Sequence, residues 1–152
     1  MNTYPQGRGG GSPRGARRGD PPGGGDRETQ GITAEDAGKI VEGNAELLVE
    51  RARSVAQGLR DEASRTQLRR LYGEVKRIEM LWRSAGEAGA REKEAQRRVL
   101  LLKPRLAYQV ARQSKLSRLQ RTLEPVIDEV RGDRQRFQRF VEFFEAIVAY
   151  AR

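Results

Sequence analysis

Residues 133–152 read DRQRFQRFVEFFEAIVAYAR, and this stretch decides the fold. Its apolar residues recur at intervals of three and four, the period of an α-helix that buries one face. This apolar stripe consists of Phe137, Phe140, Val141, Phe144, Ile147, Val148 and Ala151. Phe143 is the one phenylalanine of the chain that lies beside the stripe. Because Asp133 is a good N-cap, we expect a last helix that is central to the core.

The same period extends back along the chain to Ile32, with few β-branched residues and no Gly-rich or Pro-rich stretch. Thr33 and Asn44 predict two helix starts. The main helices are expected at 44–59, from Ser64 or Thr66 to Trp82, at 90–114, at 117–130 and after Asp133. The pattern therefore predicts an all-α fold, a compact bundle of about five helices.

Glycine and proline mark the interruptions of this helical pattern. Gly86 and Gly89 predict a loop over 84–89, and Pro104 predicts a kink or break inside the helix at 90–114. Pro125 is a second irregularity in the following helix.

Residues 1–31 differ sharply from the rest, since they contain ten glycines and four prolines. Such a segment has too little to bury to offset its ordering entropy, so we expect a disordered Gly/Pro/Arg-rich N-terminal tail before a helical domain at 32–152. Arg-Gly pairs at 8–9, 14–15 and 18–19 resemble the loose tails of some RNA-binding proteins. A plain tether is the alternative interpretation of the tail.

Cysteine and histidine are both absent. This excludes disulfides, thiolate and imidazole chemistry, and zinc sites of the usual type. Carboxylate pairs at helical spacing are typical of salt bridges on arginine-rich helices rather than of metal sites; the pairs considered are Glu142 with Glu145, Asp128 with Asp133, and Glu124 with Asp128. We expect no enzyme activity, no cofactor, no metal and no small-molecule substrate.

No apolar run suits a signal sequence or a membrane span, so the protein is expected to be cytoplasmic, with no membrane partner. The chain carries a net charge of +9, which favours a polyanionic partner: nucleic acid first, an anionic surface second. Residues 63–121 hold 16 basic and 5 acidic residues, whereas the other parts of the chain are nearly balanced. A basic surface that serves only solubility is the alternative.

Two stripes of basic residues follow the helices of this segment. One is formed by Arg65, Arg69, Lys76 and Arg83, and the other by Arg91, Arg98, Arg105 and Arg112 at heptad spacing. Each heptad drifts by only about 20°, so the members of each stripe share one side of their helix. Guanidinium groups placed in this way can follow several phosphates. The alternative is a solvated face with local ion pairs, but acidic neighbours are too few to neutralise it.

Three runs of sequence resemble one known family. They are RTQLRRLYGEV at 65–75, LLLKPRLAY at 100–108 followed by Arg112, and FVEFFEAIVAY at 140–150. Together they resemble the small subunit of type III-A CRISPR effector complexes, the Csm complexes, over roughly Asn44 to the C-terminus. The Leu-Lys-Pro-Arg-Leu-Ala-Tyr element is also similar to the small subunit of type III-B complexes.

The resemblance implies a bundle of about five helices that is not a nuclease. It also implies that several copies stack into a filament beside other subunits of the effector complex and contact the backbone of the crRNA–target RNA duplex, mainly the target strand. With the charge pattern, it gives six candidate RNA-binding residues: Arg69, Lys76, Arg77, Lys103, Arg105 and Arg112. A structural helical adaptor for acidic protein surfaces and a DNA-compacting protein are the competing functions.

Overall fold

The computed structural model describes residues 31–86 and 89–152, together with the isolated residue 3. This part of the chain is all-α, as predicted. It contains six α-helices, which we label α1 (Ala34–Val41), α2 (Ala45–Ala56), α3 (Glu62–Arg83), α4 (Ala90–Arg112), α5 (Ser117–Val130) and α6 (Arg134–Tyr150), and a short 3-10 turn at Ser114–Leu116. The short α1 is the one helix in addition to the five predicted main helices. The predicted disordered tail at 1–31 lies, except for residues 3 and 31, outside the described residues.

Side-chain caps start four of the helices. Thr33, Asn44 and Asp133 each accept a hydrogen bond from the backbone N–H three residues later, at 3.1, 3.0 and 2.8 Å, so these three predicted caps are confirmed. The predicted start of α3 at Ser64 or Thr66 is wrong. Asp61 caps that helix by accepting from the backbone N–H of Ser64 at 2.9 Å, and Ser64 is buried in the first turn.

Both prolines lie inside continuous helices. Helix α4 continues through Pro104 and helix α5 through Pro125, so the break considered at Pro104 does not occur. A proline cannot donate to the carbonyl four residues earlier, which leaves one intrahelical bond unmade in each helix. The helices tolerate this loss because each is held on both sides by neighbouring helices.

Helix α6 is the centre of the bundle, as its sequence predicted, and packs against α1, α2, α3 and α5. All four of its phenylalanines are buried, including Phe143. Trp82 of α3 stacks on Phe137 with ring centroids 5.1 Å apart, and Tyr72 stacks on Phe144 at 5.8 Å. These aromatic pairs fasten α3 to the core and so fix which of its sides remains exposed.

Helices α3 and α4 form the edge of the bundle that carries the excess positive charge. They pack against each other, while α4 also packs on α5. Helices α1 and α2 lie elsewhere, against α5 and α6. The α3–α4 pair is joined through residues 84–89, where Gly86 takes a positive φ of 65° that favours glycine.

Candidate nucleic-acid interface

A surface groove of about 330 Å³ runs between α3 and α4, and arginines dominate its rim. Its charged lining residues are Arg77, Arg97, Arg98 and Arg105, opposed by Glu74 and Glu94. Its floor is apolar and includes Ile78 and Leu102. We call this feature the arginine groove. Four cations against two carboxylates leave it with a net positive charge.

Arg105 reaches across the groove from α4 to α3. Its Nη1 lies 2.6 Å from a carboxylate oxygen of Glu74, yet 60% of its side chain is exposed. The ion pair therefore holds the guanidinium at the rim rather than burying it. A guanidinium carries five N–H donors, so one carboxylate leaves several of them available to a second anion.

Arg97 and Arg98 share a single carboxylate on their own helix. The Nε of Arg98 donates to Glu94 at 2.9 Å, and Arg97 lies 3.7 Å from the same oxygen. This sharing lowers the pKa of Glu94, through the hydrogen bond from Arg98 first. Arg77 has no polar partner among the residues that the structure describes.

Arg112 extends this surface along α4, two heptads beyond Arg98. Its Nη1 donates to the hydroxyl of Tyr108 at 3.0 Å, and its guanidinium lies over the Tyr108 ring, 5.7 Å from the centroid. Both residues are exposed. The contact orients Arg112 without neutralising its charge.

Lys76 lies on the other side of α3, where it serves a buried carboxylate. Glu79 is only 3% exposed and pairs with Lys76 and with Arg83 at 3.0 Å, while the Nε2 of Gln138 donates to it at 3.4 Å. Burial alone would raise the pKa of Glu79, but the bonds from Lys76 and Gln138 and the charge of Arg83 outweigh it and lower the pKa. The same hydrogen bond raises the pKa of Lys76. We call these four residues the Glu79 cluster.

Arg69 is exposed and shares the side of α3 that carries Lys76. It has no polar partner within the described part of the chain. Lys103 faces a third direction, because its Nζ lies 2.6 Å from Asp128 of α5, and this hydrogen bond raises the pKa of Lys103. Residues 103 and 105 are separated by about 200° around the helix axis, which explains their different partners.

The six sequence-predicted residues thus occupy three places. Arg77, Arg105 and Arg112 lie on or along the arginine groove, Arg69 and Lys76 lie on the other side of α3, and Lys103 lies between α4 and α5. Sequence reasoning did not single out Arg97. The sequence signal that could have identified Arg97 is its position next to Arg98 and three residues after Glu94.

The carboxylates considered for metal binding have structural roles. Glu142 pairs with Arg139 at 3.1 Å, Asp128 with Lys103, and Asp133 caps α6. Within residues 31–86 and 89–152, no three acidic side chains gather into a group that could hold a metal ion. In the same ranges, no helix combines the length and apolar character needed to cross a bilayer.

The model of the Csm2 type III-A family matches residues 42–152, well over half of the chain. The chain belongs to this family. It is therefore a small subunit of the type III-A CRISPR Csm complex, the subtype that the sequence resemblance favoured over type III-B. The match begins within two residues of Asn44, where the resemblance began, and contains α2 to α6. No significant match was found among curated proteins or among solved structures.

In this Csm2 family member, the match covers the whole arginine groove and the Glu79 cluster. Helix α1 and residues 1–41 precede it. The candidate interface therefore belongs to the part of the chain that defines the family.

Proposed function

We propose that this chain is a non-catalytic, RNA-binding subunit of the Csm complex and that its arginine groove contacts the RNA backbone. The RNA is the crRNA–target duplex, mainly its target strand. Neighbouring subunits, including copies of this chain in a filament, hold the chain in place on the RNA. The complex acts in the cytoplasm. Family membership supports the assembly, and the charge of the groove supports the RNA contact.

The observation that carries this proposal is the surplus of guanidinium groups over carboxylates in the groove. Arg77 is unpaired among the described residues, Arg97 and Arg98 share one glutamate, and Arg105 is exposed beyond its ion pair. Phosphate is one of the anions that such donors bind in a bidentate manner. The groove would hold the RNA backbone at several points along α4.

Sequence readout is not expected from this surface. The aromatic residues of α3 are used by the core, since Trp82 is buried and Tyr72 stacks on Phe144. Tyr108 is exposed but lies beneath Arg112. Phosphate contacts fix position without reading bases, so affinity should be similar for unrelated RNA sequences and should fall as salt rises.

All six candidates stay part of the proposal, with unequal shares. Arg77, Arg105 and Arg112 contribute most, and Arg69 adds an exposed charge, unpaired among the described residues, on the other side of α3. Lys76 and Lys103 contribute less, because each is already hydrogen-bonded to a carboxylate.

Two variants of the ion pair between Arg105 and Glu74 test whether the groove binds RNA. Arg105→Ala should weaken binding of a short RNA by about fivefold, since it removes a phosphate donor and releases the charge of Glu74. Glu74→Gln should instead strengthen binding by about twofold to threefold, because it removes the competing anion. Fluorescence anisotropy with labelled RNA measures both.

Opposite signs for the two variants would support RNA binding at the groove. Equal small losses of RNA affinity, with lower thermal stability in both variants, would mean that the ion pair only stabilises the packing of α3 against α4. Loss of binding to other Csm subunits with unchanged RNA affinity would favour the helical adaptor. Incubating the purified protein with RNA and Mg²⁺ or Mn²⁺ tests catalysis, and intact RNA is expected.

A further inference from the structure

A second positively charged site lies away from the arginine groove, in a cavity of about 420 Å³ between α1, α2 and α5. Its polar lining comes from Thr33, Asp36, Arg51, Ser54, Arg118 and Thr122. Cavities of a few hundred cubic ångströms are of the size that binds small ligands. This cavity contains none of the six candidate residues.

Each of the two arginines that line the cavity keeps one donor without an acceptor among the described residues. The Nε of Arg51 and the Nε of Arg118 are both shielded from solvent and form no hydrogen bond within the described part of the chain. Buried N–H groups are normally paired, and a charged donor without an acceptor is especially unfavourable. Both arginines of the cavity therefore have hydrogen-bonding capacity that the described residues leave unused.

The remaining contacts hold the two guanidinium groups in place. Arg51 Nη2 lies 2.8 Å from Asp36, and Arg118 Nη2 donates to Ser54 Oγ at 2.7 Å. Arg51 Nη1 also lies 4.0 Å from a carboxylate oxygen of Glu50, so Asp36 and Glu50 together offset the charge of Arg51. Arg118 forms no ion pair with any described residue, so the cavity keeps a net positive charge.

The wall of the cavity is closely fitted. Gly31 lines it and lies directly against the backbone of Arg121, where an added Cβ would overlap the carbonyl oxygen. Pro125 cannot donate to that carbonyl, so α5 does not need it for its own hydrogen bonding. Residues 31–33 therefore lie against α5 and form one side of the cavity.

We propose that this cavity is an oxyanion site that binds a phosphate group between Arg51 and Arg118. A tetrahedral phosphate offers several acceptor oxygens, so it can accept from both guanidinium groups while balancing the charge of Arg118. The phosphate is either free or part of an RNA backbone. The proposal does not depend on the function proposed for the arginine groove, because the two sites share no residue.

Isothermal titration calorimetry of the full chain with sodium phosphate, against sodium chloride at matched ionic strength, tests the site. Phosphate should bind the native protein beyond the chloride control. Arg118→Gln should weaken this binding by at least about tenfold. Arg60→Gln is the matched control, since Arg60 is exposed, lies outside the cavity and has no partner among the described residues. It should bind phosphate as the native protein does.

If Arg118→Gln lowers the helical circular dichroism signal, Arg51→Gln tests the site in its place. It should also weaken phosphate binding. Native protein that binds phosphate no better than chloride would overturn the proposal, as would native-like phosphate affinity in both variants. Either result would mean that the cavity holds only water.

Anisotropy with a short RNA distinguishes the two sources of phosphate. If the site receives an RNA backbone, Arg118→Gln lowers RNA affinity more than Arg60→Gln does. If it receives free phosphate, both variants keep the native RNA affinity while only Arg118→Gln loses phosphate binding. Either result supports the oxyanion site.

Discussion

Both sides of helix α3 carry basic residues, but these residues have different partners. On the side that faces α4, Arg77 has no partner among the described residues and belongs to a groove in which arginines outnumber carboxylates. On the side that faces α6, Lys76 and Arg83 converge on one buried glutamate. A basic residue in the sequence therefore offers a binding charge only where the fold supplies too few acidic partners.

The largest expected effect lies in the Glu79 cluster. Glu79→Ala removes the carboxylate that pairs two cations and should lower the free energy of unfolding by about 2–3 kcal/mol. This is less than a fully buried pair would lose, because both cations are exposed to water in part. Chemical denaturation measures it.

The control for this stability effect is Glu142→Ala, whose ion pair with Arg139 on α6 is partly exposed. Its cost should stay below about 1 kcal/mol. Equal losses in the two variants would mean that burial of Glu79 has no special structural role.

Two arginines of α3 give the next largest contrast. Arg77→Ala should lower RNA affinity by about fivefold, which is roughly 1 kcal/mol. Arg83→Ala, six residues further along the same helix, should change it less than about twofold, because Arg83 already binds Glu79. Anisotropy under identical salt compares them, and equal losses would remove the distinction between the two sides.

Acid should weaken the Glu79 cluster. Since the folded protein holds the pKa of Glu79 below its ordinary value of 4.5, this carboxylate stabilises the fold above that pH and loses its contribution as the pH falls further. Glu79→Gln should therefore be less stable than the native protein at neutral pH, with a smaller loss between neutral and acidic pH. Urea unfolding at several pH values tests this, and parallel pH profiles would contradict it.

Much of the fold follows from the sequence because its determinants are local. Capping by Thr33, Asn44 and Asp133 depends on the next three residues, and the apolar stripe of α6 depends on helical periodicity alone. The prediction for the start of α3 was wrong, although capping is equally local there. Ser64 is a plausible cap in isolation, but its backbone N–H donates to Asp61, which caps the helix instead.

The candidate site was less predictable, because it depends on contacts between helices. Heptad spacing placed Arg98 and Arg105 on one side of their helix, and both line the groove. Periodicity does not reveal that Glu74, 31 residues earlier, pairs with Arg105, or that Lys103 turns towards Asp128. Partners of this kind are set by the packing of α3, α4 and α5.

The most direct test of RNA binding by the groove is the salt dependence of affinity in Arg105→Ala/Arg112→Ala. The slope of log affinity against log salt should flatten by about one for each lost phosphate contact, while the helical circular dichroism signal is unchanged. An unchanged slope in the double variant would contradict the account. So would loss of RNA binding only when residues 1–31 are deleted, since the tail and not the helical bundle would then bind the RNA.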